Sequence, residues 1–193
     1  EKQTGVTTFF LDHDIDTGRI IMQLPFDIAD DYDVEDVYNG LMRQGADICL
    51  KTLDKIIESD GYPQSISQDD LIVKCGELHH APKIFKETCM IDWTKNVKQI
   101  YDFIRGLSPY PGAWTTLVSP DNKEVVLKLY KTNKTDICSD KPVGSIIVNA
   151  KKMYVVAQDS LLEVVELQMA GKKRMTVTDF INGLKNIEEY HVK

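Results

Sequence analysis

Thr7-Thr8-Phe9-Phe10-Leu11-Asp12-His13-Asp14-Ile15-Asp16-Thr17-Gly18-Arg19-Ile20-Ile21 runs from an apolar strand into an acidic turn and out into a second apolar strand. Val6, Phe9 to Leu11 and Ile20 to Met22 are β-branched, aromatic or aliphatic, and Asp16-Thr17-Gly18 supplies turn chemistry between them. The stretch therefore predicts two adjacent strands joined by a loop that presents carboxylates. Asp16 falls at the exit of the first strand. A turn Asp most often serves only to accept bonds from nearby backbone N–H groups. Asp12, Asp14 and Asp16 alternate as in a calcium loop, but an EF-hand needs Gly at the sixth position and Glu at the twelfth. Counted from Asp12, those positions hold Thr17 and Gln23, so no metal is expected.

Downstream of Pro25, Asp31-Tyr32-Asp33-Val34-Glu35-Asp36-Val37 offers Asp33 as a helix N-cap with acids in the first turn. Val37, Leu41, Ala46, Ile48, Leu50, Leu53 and Ile56-Ile57 recur at helical intervals up to Glu58, and Gly61-Tyr62-Pro63 ends the segment. Gly45 is a point where this helix could bend or split. The apolar stripe is expected to pack on a sheet, as in an α/β domain. Residues 64–80 read as a polar connection with one short apolar strand from Leu71 to Val73.

From Ala81 to Ile91 the chain reads as a linker. Val97, Ile100, Tyr101, Ile104 and Leu107 then form a helical stripe behind a Thr94 cap, stopped at Ser108-Pro109-Tyr110-Pro111-Gly112. Trp114 to Val118, Val125 to Tyr130, Ile146 to Val148, Tyr154 to Ala157 and Leu161 to Gln168 read as short strands between Pro, Gly, Asn and Asp turns. Strands at that spacing suggest a small barrel. Trp93 and Trp114 stand in apolar contexts and are expected to be buried anchors.

With 42% hydrophobic and 27% charged residues among 193, the chain has the composition of a soluble globular protein. Its apolar runs fall far short of the roughly 20 residues that span a bilayer, and we expect a cytoplasmic protein. Cys49, Cys75, Cys89 and Cys138 show no C-x-x-C spacing and are read as separate reduced thiols. The net charge of −7 is unevenly spread: residues 1–80 hold 6 Lys and Arg against 17 Asp and Glu, whereas residues 81–193 hold 17 against 13. Such asymmetry points to a basic module that meets a polyanion, attached to a domain with another task.

The acidic loop, with Leu11-Asp12 and Ile15-Asp16-Thr17-Gly18, resembles that of the 10-formyltetrahydrofolate-dependent formyltransferases. Leu167-Gln168-x-x-Gly171-Lys172-Lys173-Arg174-Met175 with Asp179-Phe180 narrows the resemblance to the methionyl-tRNA formyltransferase family. Ile91-Asp92-Trp93 and Ser108-Pro109-x-Pro111-Gly112-Ala113-Trp114 match the same family. The resemblance implies an α/β region followed by an all-β one. Residues 1–80 would be the rear part of a Rossmann-like formyltransferase domain, 81–91 the linker, and 92–193 an oligonucleotide-binding-like small β-barrel that binds tRNA. The family's Asn-x-His and Ser-Leu-Leu-Pro patterns, which carry its other catalytic side chains, do not occur here. The chain therefore reads as the back portion of a longer, monomeric enzyme and is expected to be inactive alone.

By the same resemblance, Asp16 is the catalytic carboxylate. It would orient a His from the missing segment while a formyl group moves from the co-substrate 10-formyltetrahydrofolate to the amino group of methionyl initiator tRNA. The backbone of His13, Asp14 and Ile15 would line the pterin pocket, although the family usually has Gly where Asp14 stands. His13 is not taken as the base, because the family's base lies in the missing segment. His79-His80 has no partner at metal-ligand spacing. Lys172, Lys173 and Arg174 are close enough to engage neighbouring phosphates, with Lys83, Lys86 and Lys151-Lys152 as weaker candidates. A lone basic triplet is otherwise usually a solvated charge run. Two rivals share these features: a sugar-nucleotide N-formyltransferase, which needs the Asp16 loop but not the basic triplet, and a non-catalytic RNA-binding module.

Overall fold

Half-buried and exposed residues alternate from Gln3 to Phe9 and again along Ile20 to Asp27, the signature of strands with one covered face. In the computed structural model, which describes residues 1–75, 80–184 and 186–193, they are β1 (Gln3–Phe9) and β2 (Ile20–Asp27), paired antiparallel. Pro25 lies opposite Gly5, where an added Cβ would come within 2.5 Å of the Leu24 carbonyl oxygen. The register slips between Thr8 and Phe9, just before the acidic loop. The chain divides into two compact units, residues 1–83 and 84–193.

Helix α1 (Val34–Glu58) begins at Asp33, as its sequence predicts. The Asp33 carboxylate accepts from the backbone of Glu35 and Asp36, and the Asp36 carboxylate accepts from the Asp33 N–H, closing a capping box. Gly45 does not split it: one helix runs from Val34 to Glu58. Gly40 lets α1 approach β2, since a Cβ there would lie 2.3 Å from the Phe26 ring. Thr52 and Ile48 are buried, and the Thr52 hydroxyl meets that of Thr8 on β1 at 2.8 Å. Only part of the expected apolar stripe is covered: Leu50, Leu53 and Ile57 are exposed, as are Tyr38 and Met42 of the same helix. The strand expected at Leu71 to Val73 is instead part of α2 (Gln68–Cys75), whose first turn holds Asp69 and Asp70. Acids at a helix N-terminus favour the helix by opposing its positive end. This unit is mixed α/β, consistent with a Rossmann-like formyltransferase domain.

In the second unit, α3 (Val97–Leu107) is capped by Asn96, whose side-chain oxygen accepts from the Gln99 N–H while the Gln99 side-chain oxygen accepts from the Asn96 N–H. Thr94, the expected cap, instead donates its hydroxyl and N–H to Asp92. The stripe of Val97, Ile100, Ile104 and Leu107 is buried, and the helix stops at Ser108. Both X–Pro bonds of the following turn, Ser108–Pro109 and Tyr110–Pro111, are cis.

The strands are β3 (Ala113–Val118), β4 (Glu124–Lys134), β5 (Ile146–Asn149), β6 (Lys152–Val156), β7 (Leu161–Met169), β8 (Met175–Thr176) and β9 (His191–Val192). They form one antiparallel sheet in the order β5-β6-β7-β4-β3-β9, with β8 on β7. Val177 to Phe180 opens the short helix α4 (Val177–Gly183), capped by Thr176. Leu117, Leu127, Leu129, Met153, Leu162, Val164, Leu167 and Phe180 fill the core with α3. The expected barrel is not closed by a ladder. Among the described residues the backbones at the two ends of the sheet are joined only by the isolated Ser145–His191 bridge and the Val192 N–H to Gly144 carbonyl bond. With two residues, β9 is too short to extend this pairing. Trp93 is buried, its indole N–H donating to Thr115, while Trp114 is only half-buried and donates to the Lys86 carbonyl. Among the described residues no helix is long and apolar enough to cross a membrane.

Candidate functional site

The acidic loop leaves the hairpin at Phe10, whose N–H donates to the Arg19 carbonyl at 3.0 Å and closes the loop's base. Gly18 makes that closure possible, because a Cβ there would fall 1.5 Å from the Phe10 carbonyl oxygen. Residues 65–68 hold the returning leg. The Arg19 guanidinium bonds the Ser65 hydroxyl at 3.0 Å and its carbonyl at 2.7 Å, and the backbones of Ile20 and Ile66 exchange two bonds of 2.8 Å. The Gln68 side-chain amide donates to the carbonyls of both Asp16 and Gly18 at 2.8 Å.

Between these anchored legs, every side chain from Leu11 to Thr17 is exposed. Asp16 sits at φ 59, in the left-handed region that non-glycine residues rarely occupy and that Asp tolerates better than most. The loop thus holds an exposed carboxylate in a specific backbone conformation. His13 N–H donates to the Asp12 carboxylate, and the Thr17 hydroxyl donates to the Asp14 carbonyl, so the His13 to Ile15 backbone follows a defined turn. Leu11 and Ile15 are 94% and 90% exposed, two apolar side chains that a flat ring system could cover. Among the described residues no group of three or more His, Cys, Asp or Glu side chains is gathered as metal ligands. His80 is exposed, and His79 lies outside the described residues.

The basic triplet follows β7. Gly171 takes φ +76, and Lys172 and Lys173 project into solvent. Arg174 is held differently: its guanidinium pairs with Glu166 at 2.6 Å and lies 4.5 Å above the Tyr130 ring centre. The Tyr130 hydroxyl donates to Gln168 at 2.7 Å, and the Gln168 amide donates to the Lys172 carbonyl at 2.8 Å, so β4 and β7 together shape the basic turn. Partial burial pushes the Tyr130 phenol up, against the opposing pull of the Arg174 charge. Lys152 bonds Glu163, which raises its ammonium and makes it less available to a phosphate. Lys83 and Lys86 are exposed, in the first and second unit respectively.

Sequence reading did not find Gln68, Ser65, Glu166 or Tyr130. Gln68 was obscured by reading its helix as a strand, though Asp69 and Asp70 are a usable helix-start signal. The Tyr130–Arg174 contact joins residues distant in sequence and leaves no local trace.

Residues 83–185 match the formyl transferase C-terminal domain, and residues 1–53 match the formyl transferase domain. Over its whole length the chain is 51% identical to methionyl-tRNA formyltransferase of Parabacteroides distasonis and 48% identical to that of Phocaeicola vulgatus. In both cases it spans 59% of the relative's length. Among solved structures, HypX from Aquifex aeolicus in complex with tetrahydrofolic acid shares the fold over 94% of this chain and 30% of its own, with a TM-score of 0.66 at 15% identity. The two domain matches, and the residues that carry them, place this chain in the formyl transferase family.

Proposed function

We propose that the chain is the C-terminal part of an enzyme that transfers a formyl group from 10-formyltetrahydrofolate to the amino group of methionyl initiator tRNA. The observation that carries this reading is the 51% identity to a methionyl-tRNA formyltransferase across all 193 residues. The unclosed but continuous antiparallel sheet of the second unit is compatible with an oligonucleotide-binding-like barrel, and residues 81–91 with a linker ahead of it. The exposed apolar side chains of α1 suit a helix that belongs to a larger α/β domain. The reading takes a monomeric enzyme of the cytoplasm and calls for no metal.

In this proposal the amine attacks the formyl carbon, the carbonyl oxygen gains charge, and the bond from carbon to folate N10 breaks as a proton passes from the attacking amine to that nitrogen. Asp16 holds the catalytic His, supplied by the upstream segment, in its working orientation and ionisation. The backbone of His13, Asp14 and Ile15 meets the pterin ring, with Leu11 and Ile15 supplying apolar cover. Lys172 and Lys173, aided by Arg174, Lys83 and Lys86, meet phosphates of the tRNA. The sugar-nucleotide alternative is not favoured, since it leaves the basic turn without a task.

The test joins this chain to the upstream part of the Parabacteroides relative and assays formylation of methionyl-tRNA. The chimera is expected to turn over and the 193-residue chain alone is not. Asp16→Asn in the chimera is expected to lower the rate by about 10²- to 10⁴-fold, the usual range for losing acid–base assistance. Full activity of the Asp16→Asn chimera would sink the assignment of that carboxylate.

A further inference from the structure

Tyr110 is 85% exposed at the tip of the turn between α3 and β3, with Pro109 before it and Pro111 after it. An aromatic ring on a backbone restricted by two prolines is presented at low conformational cost. The residues that follow tie it to the basic turn. The Lys128 ammonium donates to the Pro111 carbonyl at 3.0 Å and retains further donors. A Cβ on Gly112 would lie 3.4 Å from both the Lys128 side chain and the Tyr130 ring. Tyr130 in turn carries Arg174 on its face and reaches the Lys172 carbonyl through Gln168. One surface therefore runs from Tyr110 through Lys128 and Tyr130 to Arg174 and Lys172. The Glu166 carboxylate on this path is engaged by Arg174.

We propose that this surface binds an unpaired nucleotide of RNA, its base stacked on Tyr110 and its flanking phosphates over Lys128, Lys172 and Lys173. An exposed ring bordered by cations is the arrangement that holds single-stranded nucleic acid, because every base has a face to stack and every linkage a charge to neutralise. Tyr62 provides the contrast. It is 88% exposed, but it stands beside Asp60 in the unit with excess acid, where a polyanion is repelled. The inference rests on the tRNA reading and adds to it a stacking contact outside the basic triplet.

The test measures fluorescence anisotropy of the 193-residue chain with a labelled RNA hairpin carrying a single-stranded 3′ overhang, and with the same hairpin made blunt. Tyr110→Ala is expected to weaken overhang binding by about 5- to 100-fold, the range for losing one base–aromatic stack. Blunt binding should be unchanged, Tyr110→Phe should restore affinity, and Tyr62→Ala should have no effect. Replacing Lys172 and Lys173 together by Ala should flatten the salt dependence of both RNAs by roughly 1.5 in log–log slope. Overhang binding by Tyr110→Ala equal to the parent, with the lysine variant still weakened, would overturn the stacking inference and leave the basic turn standing. Absence of salt-dependent binding to either RNA by the parent chain would overturn the tRNA reading itself.

Discussion

The side-chain amide of Gln68 reaches back 52 residues to bond the Asp16 carbonyl at 2.8 Å, and the same nitrogen bonds Gly18. A residue in the first turn of α2 thereby holds the loop whose backbone takes the unusual φ at Asp16. Exposed bonds of this kind contribute roughly 1 kcal/mol each. Gln68→Ala is expected to speed amide hydrogen exchange in residues 11–19 by about tenfold, with little change in β4 or β7. Gln68→Glu should be worse, because a carboxylate would face two carbonyl oxygens. Unchanged exchange in Gln68→Ala would show that Arg19 and Ser65 alone hold the leg.

Two glycines of the first unit should respond oppositely to the same substitution. Gly18→Ala places a carbon 1.5 Å from the Phe10 oxygen, so the loop base must open, at a cost above about 3 kcal/mol. Gly45 lies inside α1 with nothing within 4 Å of an added Cβ. There Gly45→Ala is expected to stabilise the unit by about 0.5–1 kcal/mol, by reducing the freedom of the unfolded chain. Urea denaturation followed by circular dichroism at helix wavelengths would measure both.

The β5–β6 hairpin turns on Ala150 and Lys151, at φ 49 and 67, between the paired residues Asn149 and Lys152. Two positive φ values in a two-residue loop define the turn that prefers Asn-Gly. Ala is poorly suited to its position, the left-handed conformation costing roughly 1 kcal/mol or more. Ala150→Asn is expected to raise the melting temperature of the second unit, and Ala150→Val to lower it. Calorimetry on the three chains would check the order.

Asp121 accepts hydrogen bonds from Lys123 and Ser119 in the β3–β4 turn, and these hold its carboxyl at about 2, well below the ordinary 3.8. A carboxyl lowered on folding adds stability that is complete above the ordinary value and is lost as pH falls towards 2. Acid titration followed by NMR should find Asp121 still ionised near pH 3. Because the pair is exposed, added salt should move its midpoint upward. Asp121→Asn should remove this contribution to acid sensitivity, lowering stability at neutral pH slightly, because the pair is exposed, and leaving it unchanged near pH 2.

Local chemistry was the legible part of the molecule. Asp33 announces α1, because a short acceptor followed by acids satisfies the free N–H groups at a helix start. The stripe from Val97 to Leu107 announces α3, because its period matches a single buried face. Thr94 misled because Thr and Asn are both good caps. Asn96 takes the position because Gln99 can bond back to it, while Thr94 is engaged by Asp92. Leu71 to Val73 looked like a strand because three apolar residues in a row fit either period. The acidic loop and basic turn were visible as clusters of like charge. Their supports, Gln68 for one and Tyr130 with Glu166 for the other, come from elements distant in sequence, where only the folded chain makes them neighbours.

Buried Trp93 and half-buried Trp114 of β3 are the two tryptophans of the chain, and both lie in the second unit. Light absorbed selectively by indole therefore reports on that unit and is silent about the acidic loop and its hairpin. Two colours of observation follow: tryptophan emission follows one half, while far-ultraviolet dichroism also includes α1. If the halves melt independently, the two signals will separate along a denaturant axis, and each residue change proposed above can be assigned to the half it affects.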